Sequence, residues 1–133
     1  MITKNKQLVA DFIETIWNQK QYEELCRFLH SNFEDHSLPP SMPSGADGLK
    51  LWINGLGNSF EHTTRIDEVI AEDDKVAIRV TMMLKHTGAW RGIAATGRTF
   101  GTGGFRIFRI KDGKIIEHRG LVDPTTIENA IKA

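Results

Sequence analysis

An α+β domain is predicted by three observations. Apolar residues recur every three to four positions as far as Phe60, the period falls to two after Thr64, and the change happens once. Helices followed by strands, rather than alternating with them, imply an antiparallel sheet with helices gathered on one face. At 133 residues the chain fits a single domain, 1–133, large enough for one core but not for two.

The elements follow in order. Leu8, Val9, Phe12, Ile13 and Ile16 form one apolar stripe on a first helix, which Asn18-Gln19-Lys20 interrupts. Tyr22, Leu25, Phe28 and Leu29 mark a second, shorter helix. Three of the four prolines lie between Ser37 and Gly45, so that stretch is a loop across one end of the domain. Leu49, Trp52, Ile53, Leu56 and Phe60 define a third helix, loosened by Gly48, Gly55 and Gly57.

Strands begin at Thr64. The first runs to Glu72 and turns at Asp73-Asp74. In Lys75–His86, Val76, Ile78, Val80, Met82, Leu84 and His86 share one face, and Ala77, Arg79, Thr81, Met83 and Lys85 share the other. A third strand covers 97–110, with Gly101, Gly103 and Gly104 at bulges or a strong bend. Asp112-Gly113 supplies the positive φ values of a hairpin turn into a fourth strand, 113–123. Pro124-Thr125-Thr126 opens a short last helix. Three N-terminal helices packed on a strongly curved antiparallel sheet of four to six strands would leave a concave space that helices do not fill, and hence an enclosed pocket.

Composition narrows the partners. Seventeen basic residues balance seventeen acidic ones, and no basic stripe exists to bind nucleic acid or an anionic membrane. No stretch approaches the ~18 apolar residues of a membrane span. The N-terminal segment is amphipathic, with Asp11 and Glu14 breaking any signal-peptide apolar core. A single cysteine, Cys26, forms no internal disulfide, which suits a reducing cytoplasm, and its expected role is that of a buried structural thiol. No metal-ligand spacing, phosphate loop or nucleophile elbow is present, so neither metal nor cofactor is expected.

Strand alternation selects the candidate site residues. On the third strand Arg106, Phe108 and Ile110 share a face; on the fourth, Ile116, His118, Gly120 and Val122 do, opposite Ile115, Glu117, Arg119 and Leu121. Antiparallel neighbours bring Arg106 and His118 into one concavity, given the right register. His118 is then either a general acid/base or a half-buried structural histidine. Arg106 either binds an anion or enolate or pairs with a buried carboxylate. Asp123 either contacts substrate or caps the next helix. His36 is placed at the pocket mouth or on the surface, and Trp52 and Trp90 form either aromatic pocket walls or core. His86, Phe108 and Gly120 complete the ligand-lining candidates.

The segment His86–Asp123, with Gly88, Gly92, Thr96-Gly97-Arg98 and the hairpin FRIFRIKDGKIIEHRGL, resembles the SnoaL-like polyketide and ester cyclases, within the cone-shaped nuclear-transport-factor-2-like (NTF2-like) folds. The resemblance implies a curved sheet wrapped around a long helix, a homodimer or higher homo-oligomer formed through the sheet, and a small hydrophobic ligand. It further implies cofactor-free aldol ring closure, in which an aspartate on the last strand removes a proton α to a carbonyl. That aspartate position falls on Gly120, a pocket histidine falls on Arg106, His118 matches a family histidine, and Asp123 matches the strand-end acid. Glycine transfers no proton, so His118, Asp123 or His36 would have to supply the base. The expectation is therefore a SnoaL-like protein that binds or transforms a carbonyl-bearing molecule by acid/base chemistry. The alternative is a non-catalytic binding or dimerisation module.

Overall fold

The computed structural model describes residues 2–132. Its elements are α1 (Ile2–Phe12), continued by a π-helical turn (Ile13–Asn18), a 3-10 turn (Tyr22–Glu24), α2 (Leu25–Phe28), β1 (Leu29–Asp35), α3 (Ala46–Ser59), β2 (Phe60–Glu72), β3 (Lys75–His86), β4 (Thr99–Lys111), β5 (Lys114–Val122) and α4 (Pro124–Lys132). One five-stranded sheet runs β1-β5-β4-β3-β2. The fold is α+β, as the period change predicts.

Two expectations need correction. The second helix stops at Phe28, and Leu29–Asp35 is an additional edge strand that pairs in parallel with β5, so the sheet is mixed rather than wholly antiparallel. Only Leu29, Phe33 and Asp35 of this strand are buried among polar neighbours, a pattern too sparse to stand out from a loop. Its strand character comes from pairing with β5 and not from local propensity. The first long strand also begins earlier, because the chain turns extended at Phe60, directly after the helix.

Burial follows the pleat. On β3 the residues Val76 to His86 alternate buried and outward-facing, and on β4 Thr102, Gly104, Arg106, Phe108 and Ile110 all point inward. Against this inner face pack Val9, Phe12, Ile13, Ile16 and Trp17 from the first helix and its π-helical extension, together with Leu49 and Ile53 of α3. Phe12 meets both Phe28 and Phe108 edge-on, at 5.9 and 6.0 Å between centroids. Such contacts add about 0.5–1.5 kcal/mol each beyond the apolar area that they bury.

The turn chemistry matches its geometry. Asp112 and Gly113 both have positive φ (53° and 73°), as a two-residue hairpin with the sheet's twist requires. A bulge between Arg109 and Ile110 shifts the β4–β5 register. Ile115 consequently pairs with Ile110 and is fully buried, although simple alternation would turn it outward. Gly48 allows the proline loop to close on α3: a Cβ there would lie 1.7 Å from the Pro43 carbonyl oxygen. That loop carries Ser37 and Leu38 to one end of the domain, where a cavity opens.

Candidate active site

Register brings the site together. Phe108 pairs with His118 and Arg106 with Gly120, so Arg106 and His118 lie diagonally on one inward face, as alternation predicts. Both line a cavity of about 90 Å³. Trp52, Leu56, Val80 and Val122 provide apolar wall, with Leu38 of the proline loop beside them.

His118 does not act alone. β1 sets Asp35 directly opposite it, and His118 Nδ1 lies 2.9 Å from Asp35 Oδ2. The other carboxylate oxygen of Asp35 accepts hydrogen bonds from the Ser37 backbone N–H (2.9 Å) and the Ser37 hydroxyl (2.5 Å). Burial by itself would raise the Asp35 pKa, but the bonds from His118 and Ser37 outweigh it and hold the group below the usual 3.8. Burial dominates at His118 and pulls it below 6.5, even though Asp35 opposes the shift. At neutral pH the pair is therefore a carboxylate and a neutral imidazole whose Nδ1–H donates to Asp35. His118 Nε2 is left with a free lone pair and no partner among the described residues. Phe108 supports the imidazole from behind, with centroids 4.9 Å apart, and is absent from the cavity lining.

Arg106 is a buried cation without a carboxylate in contact. Its Cζ sits 3.9 Å over the Trp17 ring and Nη2 points at Met82 Sδ at 3.7 Å, while Nη1 has no partner among the described residues. Burial lowers its pKa to about 10, which still leaves it charged at neutral pH; Asp35 acts on it only through space. A buried guanidinium with a spare donor can stabilise negative charge that develops beside it, because Nη1 has no other hydrogen-bond partner to give up.

The remaining candidates are placed elsewhere. His36, one residue beyond Asp35, faces outward and bonds Glu117 at 2.8 Å, because neighbouring positions on a strand point to opposite faces. His86 is fully buried at the far end of the sheet, between Phe60 (5.3 Å) and Thr96, whose backbone N–H donates to Nδ1 at 3.2 Å. Trp90 packs edge-on against Phe60 at 5.7 Å and lies under the Arg91 guanidinium. Asp123 accepts bonds from the Thr125 backbone N–H (2.9 Å) and the Thr126 hydroxyl (2.8 Å), so it caps α4. None of these four lines the cavity. Cys26 is exposed, not buried.

Asp35, Ser37 and Trp17 were not among the sequence candidates. The inward spacing of Phe33 and Asp35 is the only local signal for Asp35, and it appears only once 29–35 is treated as a strand.

This order of helices and strands has counterparts among known proteins. The model of the SnoaL-like polyketide cyclase family matches residues 7–131. The chain belongs to that family. Among similar proteins is the aklanonic acid methyl ester cyclase DnrD of Streptomyces peucetius, 26% identical over 120 residues that cover 87% of this chain and 82% of DnrD. The solved structure of TsrD from Streptomyces laurentii superposes with a TM-score of 0.84 at 25% identity, covering 97% of this chain and 95% of that one. IdmH from Streptomyces antibioticus gives 0.88 at 22% identity, with 97% and 99% covered, a likeness of fold. Within this SnoaL-like chain Gly120 stands where the resemblance expects the base, and the space it leaves is the space in front of His118: a Cβ on residue 120 would lie 3.0 Å from Cε1 and 3.1 Å from Nε2 of that ring. No group of three or more His, Cys, Asp or Glu among the described residues is arranged to hold a metal ion, and no helix among them is long and apolar enough to cross a membrane.

Proposed function

We propose that this SnoaL-like protein binds a small hydrophobic carbonyl compound and moves a proton at the carbon α to its carbonyl, without a cofactor. The observation that carries the reading is the Asp35–His118 pair, whose free Nε2 shares one cavity with the unpartnered Nη1 of Arg106. His118 Nε2 accepts the α proton; Asp35 fixes the imidazole tautomer and stabilises the imidazolium that forms. Arg106 Nη1–H donates to the enolate oxygen as charge develops there. The enolate carbon then either regains a proton or attacks a second carbonyl of the same molecule, forming a C–C bond. The second outcome is ring closure, and DnrD, itself named an ester cyclase, makes it the favoured one.

A second reading, a ligand-binding module without chemistry, is favoured by Gly120, which removes the carboxylate that the family resemblance expects. Exchange of α protons distinguishes the two. In deuterated buffer an aryl β-keto ester should exchange its α protons under the wild-type protein, followed by proton NMR. His118→Ala should slow that exchange by roughly 10²-fold or more with folding intact, the usual loss when a general base is removed. Asp35→Asn should slow it less. Equal exchange in wild type and His118→Ala would leave the binding module as the better reading.

A further inference from the structure

The charges that line the cavity constrain what it takes. Among the described residues only two lining side chains are formally charged, Asp35 and Arg106, and they cancel. His118, between them, is neutral while its Nδ1–H is held by Asp35. The charges on the other face of β5 lie outside the cavity and pair among themselves, Glu117 with Arg109, Arg119 and His36. The resting cavity is thus balanced, with one spare base (His118 Nε2) and one spare donor (Arg106 Nη1).

Resting on the reading above, we infer that the cavity takes an uncharged weak acid, an enolisable carbonyl or phenol-like enol, holds its conjugate base between Arg106 and protonated His118, and discriminates against permanent carboxylates. A neutral ligand H–L keeps the balance at each step. The proton moves from the ligand to His118 Nε2, the electron pair stays on the ligand oxygen, and the new imidazolium and the new oxyanion arise together. A ligand that arrives as a carboxylate brings one negative charge with no matching positive one, because His118 starts neutral and the formal charge of Arg106 is already cancelled, without contact, by that of Asp35. Among mostly apolar lining residues an uncompensated charge is penalised. Burial of Arg106 against Trp17 and Met82 therefore marks the place for an anion made inside the cavity rather than one carried in.

Two one-ring probes separate the cases, 4-nitrophenol as the weak acid and benzoate as the permanent anion. They are titrated into full-length protein below the probe's own pKa, where free nitrophenol is colourless. Bound nitrophenol is expected to develop phenolate absorbance while the ¹⁵N resonances of His118 move to imidazolium values. Benzoate is expected to bind at least 10-fold more weakly. Arg106→Leu should abolish the phenolate colour. Benzoate binding as tightly as nitrophenol, nitrophenol bound with His118 still neutral, or no perturbation of His118 by either probe at millimolar concentration would each overturn the inference. The exchange assay judges the base role separately. If exchange survives while the probe test fails, the ligand class is wrong and the base stands; if exchange fails while phenolate forms, the cavity is a binding site for such anions.

Discussion

The Arg106 guanidinium sits over the indole of Trp17, with Cζ 3.9 Å from the ring centroid, where a buried arginine ordinarily meets a carboxylate. A π face attracts the cation without accepting its hydrogen bonds, so Nη1 remains free for a ligand. The π-helical turn positions that ring, and the side chain of Asn18 anchors the turn to the sheet. Asn18 Nδ2 donates to the Thr64 carbonyl at 3.0 Å, and Thr64 N–H donates to Asn18 Oδ1 at 2.7 Å.

Replacing the indole should therefore weaken anion binding more than a comparable core truncation elsewhere. Trp17→Leu is expected to reduce nitrophenolate affinity by roughly 2- to 30-fold, the span of a cation–π interaction of about 0.5–2 kcal/mol. Trp17→Phe, which keeps a π face, should recover part of that loss. Titration beside a thermal melt separates the effect from stability; equal affinity in Trp17→Leu would show that Met82 and the backbone suffice.

Gly120 should not accept a side chain. The His118 ring has little room to retreat, held by Asp35 on one edge and Phe108 on one face. Gly120→Ala is expected to cost about 1–3 kcal/mol through overpacking and to shift the His118 ring resonances. Gly120→Asp, which restores the carboxylate of the family pattern, should displace His118 rather than add a second base beside it. Unchanged His118 resonances in Gly120→Ala would contradict this crowding.

Self-association is proposed through the outer sheet face. Phe105 and Leu121 pair across β4 and β5 there, 63% and 80% exposed, beside Ile107 and Met83. Gly101 and Gly103 pair with Met83 and Thr81 and leave that part of the face flat. A second copy related by a two-fold axis is the simplest cover for such a patch. Light scattering at micromolar concentration should give at least a dimer, and Phe105→Lys should shift it toward monomer. A wild-type monomer would refute the interface.

Acid should destabilise the fold. His62 is buried on β2 and neither ring nitrogen makes a well-formed hydrogen bond. Burial first, then the positive charges of Lys20 and Arg106, lower its pKa to about 4, and the Ile53 carbonyl offsets this only in part. The unfolded state, titrating near 6.5, binds more protons between about 4 and 6.5, so stability falls as pH drops through that window. His118, also depressed, adds to the same slope, and Asp35 contributes stability that is lost further down, as pH falls below 3.8. Thermal melts from pH 7 to 4.5 should decline steadily in wild type and less steeply in His62→Leu. Parallel curves would exclude His62 as a source.

Period and polarity alone determined the α+β class, the four long strands and which residues share a strand face, Val76 to His86 on β3, Arg106 with Phe108 on β4 and His118 with Gly120 on β5, because side-chain direction along a strand follows from the two-residue repeat. The capping role open to Asp123 was legible for the same local reason, in the Asp-Pro-Thr-Thr run that starts α4. Tertiary structure decided the rest. Strand β1 exists because β5 offers it a partner, and only that pairing turns Asp35 inward to His118 and His36 outward to Glu117. Trp17 and Arg106 are 89 residues apart and meet through packing, for which no local pattern exists. Buried alternation reports which face a residue occupies, whereas partner identity depends on register and on which strand lies alongside, and both are set by the whole sheet.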